Sequence, residues 1–431
     1  MGKGDAMKFL TTGEKVKKLR EQLKLTQEDM QSERVTRGLI SMVETGRREV
    51  TYGTAVKLAE KFNEKAEELN IIMNIDEAYL MRSQAEDAEI YCLNKLKNDD
   101  ITKNTIDEIF QLAEEYELIK VKAKAYCGLG EIYFKEKEFE VACDIYKKAR
   151  AIYINIEENE KLGYVYWRLG VFNADDLKYD TAVEYYQLSQ YYCSQYSDYE
   201  TRKLCLYSLA NSYKKLNKID LALETIERFL SVCDEQNDYR LYIYAKGIKA
   251  TCYESKGEYD KSIKIYKFLI TKISDDKSIF LGYIYNNLGL NYCHKNDFKE
   301  SIKYFEMAEK FRNDIDKSNL AATLIEKSEV LLKQNLIDEA IKTIELGTNY
   351  AKQYKDLEYL LNGNYLLGKI YDKIKDNENL EKVYLETIEL VKNTENNDKL
   401  KTVYNELAII YLNQNKIDMC KKYLLLSKKL N

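Results

Sequence analysis

From residue 121 onward, apolar positions follow a helical period, and that pattern itself recurs about every 40 residues. Small residues stand at Gly130, Gly170, Ala210, Ala250, Gly289, Ser328, Gly368 and Ala408, in steps of 40, 40, 40, 39, 39, 40 and 40. Leucine precedes six of the eight. Three residues on lie Tyr133, Tyr213, Tyr253, Tyr292, Tyr371 and Tyr411, with Asn173 and Leu331 as exceptions. Twelve on lie Ala142, Ala182, Ala222, Ser262, Ser301, Ala340, Leu380 and Cys420. Four further on lie Tyr146, Tyr186, Ile226, Tyr266, Phe305, Ile344, Tyr384 and Leu424. A small residue lets one helix approach the next, and the Tyr and Ala columns knit neighbours together. The pattern therefore predicts helix pairs that bury their apolar faces only against adjacent pairs. Residues 76–120 read as a degenerate first pair and 421–430 as the last helix. Most of the tyrosines are thereby explained as repeat core.

The first 70 residues break this rhythm. A helix is expected from about Thr12 to Lys24, with Val16, Leu19 and Leu23 as its apolar stripe. A second starts at the N-cap candidate Thr26, with Gln27, Glu28 and Asp29 in its first turn, and ends near Ser32. A third runs from Thr36 to Thr45 and is stopped by Gly46, with Leu39, Ile40 and Val43 on its apolar side. A fourth runs from about Thr51 to Leu69, with Ala55, Leu58, Ala59 and Phe62 on one face. Two short helices joined by a tight turn and packed on two others make a helix-turn-helix unit. Nothing before Thr11 reads as structured.

Leu19-Arg20, Leu25-Thr26-Gln27-Glu28, Ile40-Ser41, Val43-Glu44-Thr45-Gly46-Arg47-Arg48 and Ala55-Val56-Lys57-Leu58-Ala59 resemble the Xre/Cro family of repressor-type DNA-binding domains over about 50 residues. The stretch between Met30 and Thr36 is one residue shorter than that family's usual pattern. The resemblance implies that the third helix enters the major groove. Arg37 would read guanine bidentately, and Thr36, Gly38, Ser41 and Met42 would also face DNA. Gln27 would sit at a helix N-terminus against phosphate, and Arg47 and Arg48 would grip the backbone. The columns of the body resemble the tetratricopeptide repeat, whose unit is about 34 residues, so each pair here has longer helices or a longer loop. By that resemblance, positions three before and one or four after the small residue line a groove. These are Trp167, Tyr207, Asn211, Lys214, Asn286, Glu329, Tyr365, Lys369 and Asn405, with Tyr164, Tyr283 and Asn362 one turn earlier. Asparagine can hold an extended peptide by its backbone groups, and aromatics can take its apolar side chains.

Charge sharpens this division. The chain carries −5 overall, but residues 1–48 hold 11 Lys/Arg against 7 Asp/Glu, a net of +4, which leaves −9 for the remainder. A basic head on an acidic body fits a protein that touches nucleic acid at one end. The 431 residues contain no proline, which suits helices joined by short turns. Nine scattered cysteines, without a C-x-x-C pair, signal neither a disulfide framework nor a zinc site and suit a reducing cytoplasm. No apolar run reaches the ~20 residues of a membrane span, and no secretory signal is visible. No catalytic constellation is present either. The single histidine, His294, adjoins Cys293, but neighbouring helix residues point about 100° apart. It is expected to be structural, the protein is expected not to be an enzyme, and no cofactor or metal is implied.

The expected fold is all-α: an N-terminal helix-turn-helix domain (11–70), a linker helix with a degenerate first repeat (71–120), and a right-handed tetratricopeptide-repeat superhelix (121–431). This combination resembles the peptide-pheromone regulators of Gram-positive bacteria, the group that includes PlcR, PrgX, NprR and the Rap proteins. The resemblance implies a cytoplasmic homodimer that binds a double-stranded DNA operator and a short signalling peptide. The alternatives are an array that docks another protein and one that only dimerises.

Overall fold

In the computed structural model, residues 8–98, 100–273, 278–392 and 397–430 are described. They are all-α, with a lone bridge between Ser32 and Val35 as the only pairing of β type among them. The chain divides after Leu216 into two compact units. The first holds α1 (Thr12–Gln22), α2 (Arg37–Glu44), α3 (Tyr52–Glu68), α4 (Glu77–Met81), α5 (Gln84–Leu96), α6 (Lys103–Glu115), α7 (Ile119–Lys135), α8 (Phe139–Asn155), α9 (Leu162–Asp175), α10 (Tyr179–Gln195) and α11 (Tyr199–Lys215). The second holds α12 (Ile219–Val232), α13 (Tyr239–Ser255), α14 (Tyr259–Lys272), α15 (Ile279–His294), α16 (Phe298–Ile315), α17 (Leu320–Lys333), α18 (Ile337–Tyr354), α19 (Leu357–Ile374), α20 (Asn377–Val391), α21 (Asn397–Asn413) and α22 (Ile417–Lys428).

The head is α1 to α3 with the segment that follows. Thr11 and Glu14 form a reciprocal capping box at α1, and Thr36 and Thr51 cap α2 and α3. Val16, Leu19, Leu23, Ile40, Val43, Ala55, Leu58, Ala59 and Phe62 are buried together, and Leu80 of α4 joins the same core. Gly13 is where α1 crosses α2: a Cβ there would lie 2.3 Å from the Val43 carbonyl oxygen.

The second helix expected between Thr26 and Ser32 is not formed. Its N-terminal signal is real, since Thr26 and Asp29 bond reciprocally, but the chain makes one turn (Gln31 N–H to Glu28 O, 3.1 Å) and stops. Ser32 and Val35 then exchange backbone hydrogen bonds of 3.0 and 3.1 Å. Met30 and Val35 must both enter the core, and the four residues between them leave room only for a tight turn. Structure also begins earlier than Thr11. Phe9 packs between Tyr91 and Tyr116, with centroids 5.7 Å from each, and its carbonyl accepts from Gln84 Nε2 at 2.6 Å. The degenerate pair expected at 76–120 is α5 and α6, preceded by the single-turn α4.

From α7 on, helices alternate as A and B members of pairs, with A members α7, α9, α11, α13, α15, α17, α19 and α21. The small-residue column lies on A, and the column sixteen residues later lies on B. They meet: a Cβ on Gly130 would be 2.3 Å from the Tyr146 ring, on Gly170 2.4 Å from Tyr186, on Gly289 2.8 Å from Phe305 and on Gly368 3.0 Å from Tyr384. The +12 position also engages A, as where Ser301 Oγ donates to the Gly289 carbonyl at 2.7 Å.

The longer period comes from helices, not loops: α7 and α8 are 17 residues each, separated by residues 136–138. Every A helix ends in a left-handed residue at small-plus-seven: Lys137, Leu177, Asn217, Gly257, Asn296, Asn335, Lys375 and Asn415, all with φ between 57° and 73°. The backbone N–H groups just beyond the helix then turn back onto its last carbonyls, as from Leu177 to Ala174 and from Lys178 to Asn173.

Six of the nine cysteines are buried and none is joined in a disulfide. Burial pushes the Cys92 and Cys193 thiols up to about 11 and the Cys205 thiol to about 12, which keeps them unreactive. His294 stacks on Tyr259 at 5.0 Å, and its pKa is lowered by burial and by Lys333. Among the described residues no helix is long and apolar enough to cross a membrane, and no group of His, Cys, Asp and Glu is placed to hold a metal.

Candidate DNA-binding helix and A-helix faces

The carrier of α2 is a polar network that explains several head residues at once. Arg20 of α1 bonds Glu44 of α2 through Nε (2.6 Å) and Nη2 (3.1 Å), and its Nη1 donates to the Leu25 carbonyl at 3.0 Å. Gln27 Nε2 donates to the same carboxylate at 2.8 Å. Burial alone would raise the Glu44 pKa, but the bonds from Arg20 and Gln27 outweigh it and hold the carboxyl below its usual range. Gln27 is therefore a brace for Glu44. The phosphate contact expected of it at a helix N-terminus has no α-helix behind it.

On the opposite side of α2, Thr36, Arg37 and Gly38 are exposed, Met42 is 39% exposed and Ser41 is half-buried, whereas Ile40 and Val43 point into the core. Arg37 holds Glu28 in a surface ion pair at 2.8 Å. Behind α2 the chain reverses at Gly46 (φ +68°). The Gly46 N–H bonds to Val43 O and the Arg47 N–H to Met42 O, leaving the Arg47 and Arg48 side chains exposed. A helix end that presents the Arg37 guanidinium, paired with Glu28 at the surface, and two flanking arginines can enter a groove lined by phosphates.

In the first unit, Tyr164 and Trp167 of α9 lie together, ring centroids 5.6 Å apart, and Trp167 Nε1 donates to Ser208 Oγ of α11 at 3.2 Å. Tyr207, Asn211 and Lys214 are half-buried on α11. Beside Trp167, Arg168 is buried between Phe134 and Phe172 and paired in a fork with Glu131 of α7, which also accepts from Tyr146. Arg168 and Glu131 were not foreseen. Glu131 stands one residue after Gly130, the same column that named Asn211, Glu329 and Lys369, so the period could have found it.

In the second unit, Asn362, Tyr365 and Lys369 are exposed on α19, with Lys369 Nζ 4.2 Å above the Tyr365 ring. Asn362 and Tyr365 line a cleft of about 310 Å³ with Leu361, Tyr384, Thr402 and Val403. Glu329 and Asn405 are exposed on α17 and α21. Tyr283 stacks on Phe280 at 5.2 Å.

Asn286, expected to line a groove, is instead buried. Its amide donates to Glu326 at 2.5 Å and its carbonyl accepts from Thr323 at 2.9 Å, so both ends serve the packing of α15 on α17. Glu326 also accepts from Tyr359 at 3.1 Å. Burial drives its carboxyl above the usual range, and these bonds and the nearby Arg312 offset only part of that.

A helix-turn-helix domain model matches residues 13–76, and a tetratricopeptide-repeat model matches residues 123–151 and 205–235. The transcriptional activator NprA of Geobacillus stearothermophilus is 23% identical over 240 residues, which cover 54% of this chain and 58% of NprA, less than two thirds of that protein's length. The apo form of the quorum sensor NprR from B. thuringiensis superposes with a TM-score of 0.56 and 19% identity, over 80% of this chain and 97% of that one. NprR in complex with its cognate peptide NprX gives a TM-score of 0.47 and 17% identity, over 80% and 99%. The chain is thus a helix-turn-helix protein with tetratricopeptide repeats, similar in fold to the quorum sensor NprR and in sequence to the activator NprA.

Proposed function

We propose that this protein is a sequence-specific, DNA-binding transcriptional regulator whose repeats bind a short signalling peptide and hold two copies together in the cytoplasm. Residues 11–70 serve as the DNA-binding domain, 71–120 as the linker and 121–431 as the peptide-binding array. The observation that carries the reading is the outward face of α2, where Thr36, Arg37, Gly38 and Met42 are exposed on a helix whose other face is locked in the core. Arg37 reads a base edge there, Ser41 supports the approach, and Arg47 and Arg48 take phosphates. On the repeats, Tyr164 with Trp167 and Asn362 with Tyr365 each join an aromatic surface to hydrogen-bonding groups, as recognition of an extended peptide requires. NprR, described as a quorum sensor, lends support to a signalling role, and NprA, described as a transcriptional activator, to the regulation.

The test is binding of the full chain to DNA from upstream of its own gene, with and without synthetic peptides drawn from small open reading frames beside it. Affinity that changes with one peptide supports the whole reading. Binding that no peptide alters leaves the DNA-binding head and removes the peptide. Unaltered target regulation by Asn211→Ala together with Tyr365→Ala would count against the assigned faces.

A further inference from the structure

Lys15 lies in the first turn of α1, yet it is 1% exposed. Its ammonium reaches across the head to α4 and the start of α5. Nζ donates to the carbonyls of Tyr79 (3.1 Å) and Arg82 (2.7 Å) at the end of α4, and pairs with Asp87 of α5 at 2.5 Å. The Tyr79 ring covers it at 5.0 Å, and Arg82 Nε holds the other oxygen of Asp87 at 2.7 Å. All three donor positions of the ammonium are thus taken by groups 64 to 72 residues away in sequence. The chain just before α1 is fastened to the same place, through Phe9 between Tyr91 and Tyr116 and through its carbonyl on Gln84. Two residues before Lys15, Gly13 presses the same turn of α1 against the Val43 carbonyl of α2. The backbone of α2 therefore rests on the turn that the first helix pair grips.

We infer that Lys15, Asp87 and Phe9 form a joint that sets the direction in which the first helix pair presents α2, with Lys15 as a positioning residue for DNA binding. The significance of that direction rests on the function proposed above: two heads meet two half-sites about one helical turn, ~34 Å, apart, so a fixed direction becomes a fixed spacing. A buried ammonium suits this purpose, because removing it from its partners leaves an uncompensated charge, whereas an exposed pair would shift freely.

The joint can be tested without DNA. Lys15→Met and Lys15→Met/Asp87→Leu (the second removing both charges of the Lys15–Asp87 pair) are compared with the natural full-length chain by amide exchange. Peptides spanning Tyr79–Asp87 should exchange more than about tenfold faster while α2 and α3 keep their protection. Unchanged exchange there overturns the joint. Equal loss across α2 and α3 also overturns it, since Lys15 would then only hold the head together.

The consequence for DNA is read on duplexes carrying two copies of a site that the natural chain enriches from a random-sequence pool, with spacers lengthened in single base-pair steps. The natural chain should prefer a spacing. The variants should lose that preference while binding a single copy equally well. An identical preference, or none in the natural chain, overturns the positioning role. A natural chain that enriches no duplex sinks the DNA-binding reading itself, and the exchange result still decides the joint.

Discussion

In the head, Arg20, Glu44, Gln27 and Gly13 each meet their partners once, through links that join distant turns. In the repeats, one event recurs: a small residue on an A helix receives a large side chain from its B helix. A fold assembled from single events is only as strong as each of them, whereas a fold assembled from one repeated event can lose an instance locally.

The largest test of that difference is Tyr186→Ala. It empties the space over Gly170, where Tyr186 is 1% exposed, and should cost about 3–5 kcal/mol. The loss should fall on exchange protection in α9 to α11 and spare α1 to α3. Loss of protection in the head to the same degree would mean that the two regions do not differ in this way.

Next is Glu44→Ala, which strips Arg20 of its carboxylate and Gln27 of its acceptor and should lower head stability by about 2–3 kcal/mol. Its damage should reach every head helix, as measured by the same exchange.

Acid should separate the regions in opposite senses. The folded pKa of Glu44 is lowered, so its contribution is present above the ordinary carboxylate pKa and is lost as pH falls through the folded value. The folded pKa of Glu326 is raised, so its burial weighs against the fold at neutral pH and is relieved as pH falls through that value. Glu326→Gln should therefore stabilise α15 to α19 at neutral pH and flatten their pH profile, while the head still weakens in acid. A profile unchanged by Glu326→Gln would show that this carboxyl is not the group that titrates.

On DNA, Arg37→Ala should weaken specific binding by about 1–3 kcal/mol and relax discrimination at one base pair. An unchanged footprint removes Arg37 as the reader. The smallest effect is expected at Leu177, which is 73% exposed and left-handed at φ +60°. Leu177→Gly should raise stability by about 1 kcal/mol in a denaturant titration.

The same contrast decided what could be read from sequence. The repeat columns were legible because eight copies vote on each position. Small residue, tyrosine, alanine and aromatic are the groups that pack, so their recurrence is the packing written out. The head's first, third and fourth helices were legible from caps and apolar spacing. Its second was not, because Thr26 and Asp29 make a helix start and only the pairing of Ser32 with Val35 cancels it. Asn286 was misplaced because column position does not reveal that Thr323 and Glu326 stand ready to occupy both ends of its amide. Arg168 and Lys15 were invisible as buried cations, since their partners Glu131 and Asp87 lie 37 and 72 residues away. One signal was available and unused: four of the eight small-plus-seven positions are asparagine and one is glycine, the residues that tolerate left-handed backbone.

That turn column also makes the array modular in a literal sense. Because each A helix ends at the same register in the same left-handed geometry, the chain can be severed after one such residue and rejoined after another without changing the phase of the helices on either side. Removal of the stretch from Lys218 through Gly257 would bring Asn217 directly before Glu258, joining α11 to α14 across a turn that both already use. Whole pairs are thus cassettes, and the chain could gain or shed them by unequal recombination while the core rule of each surviving pair stayed intact.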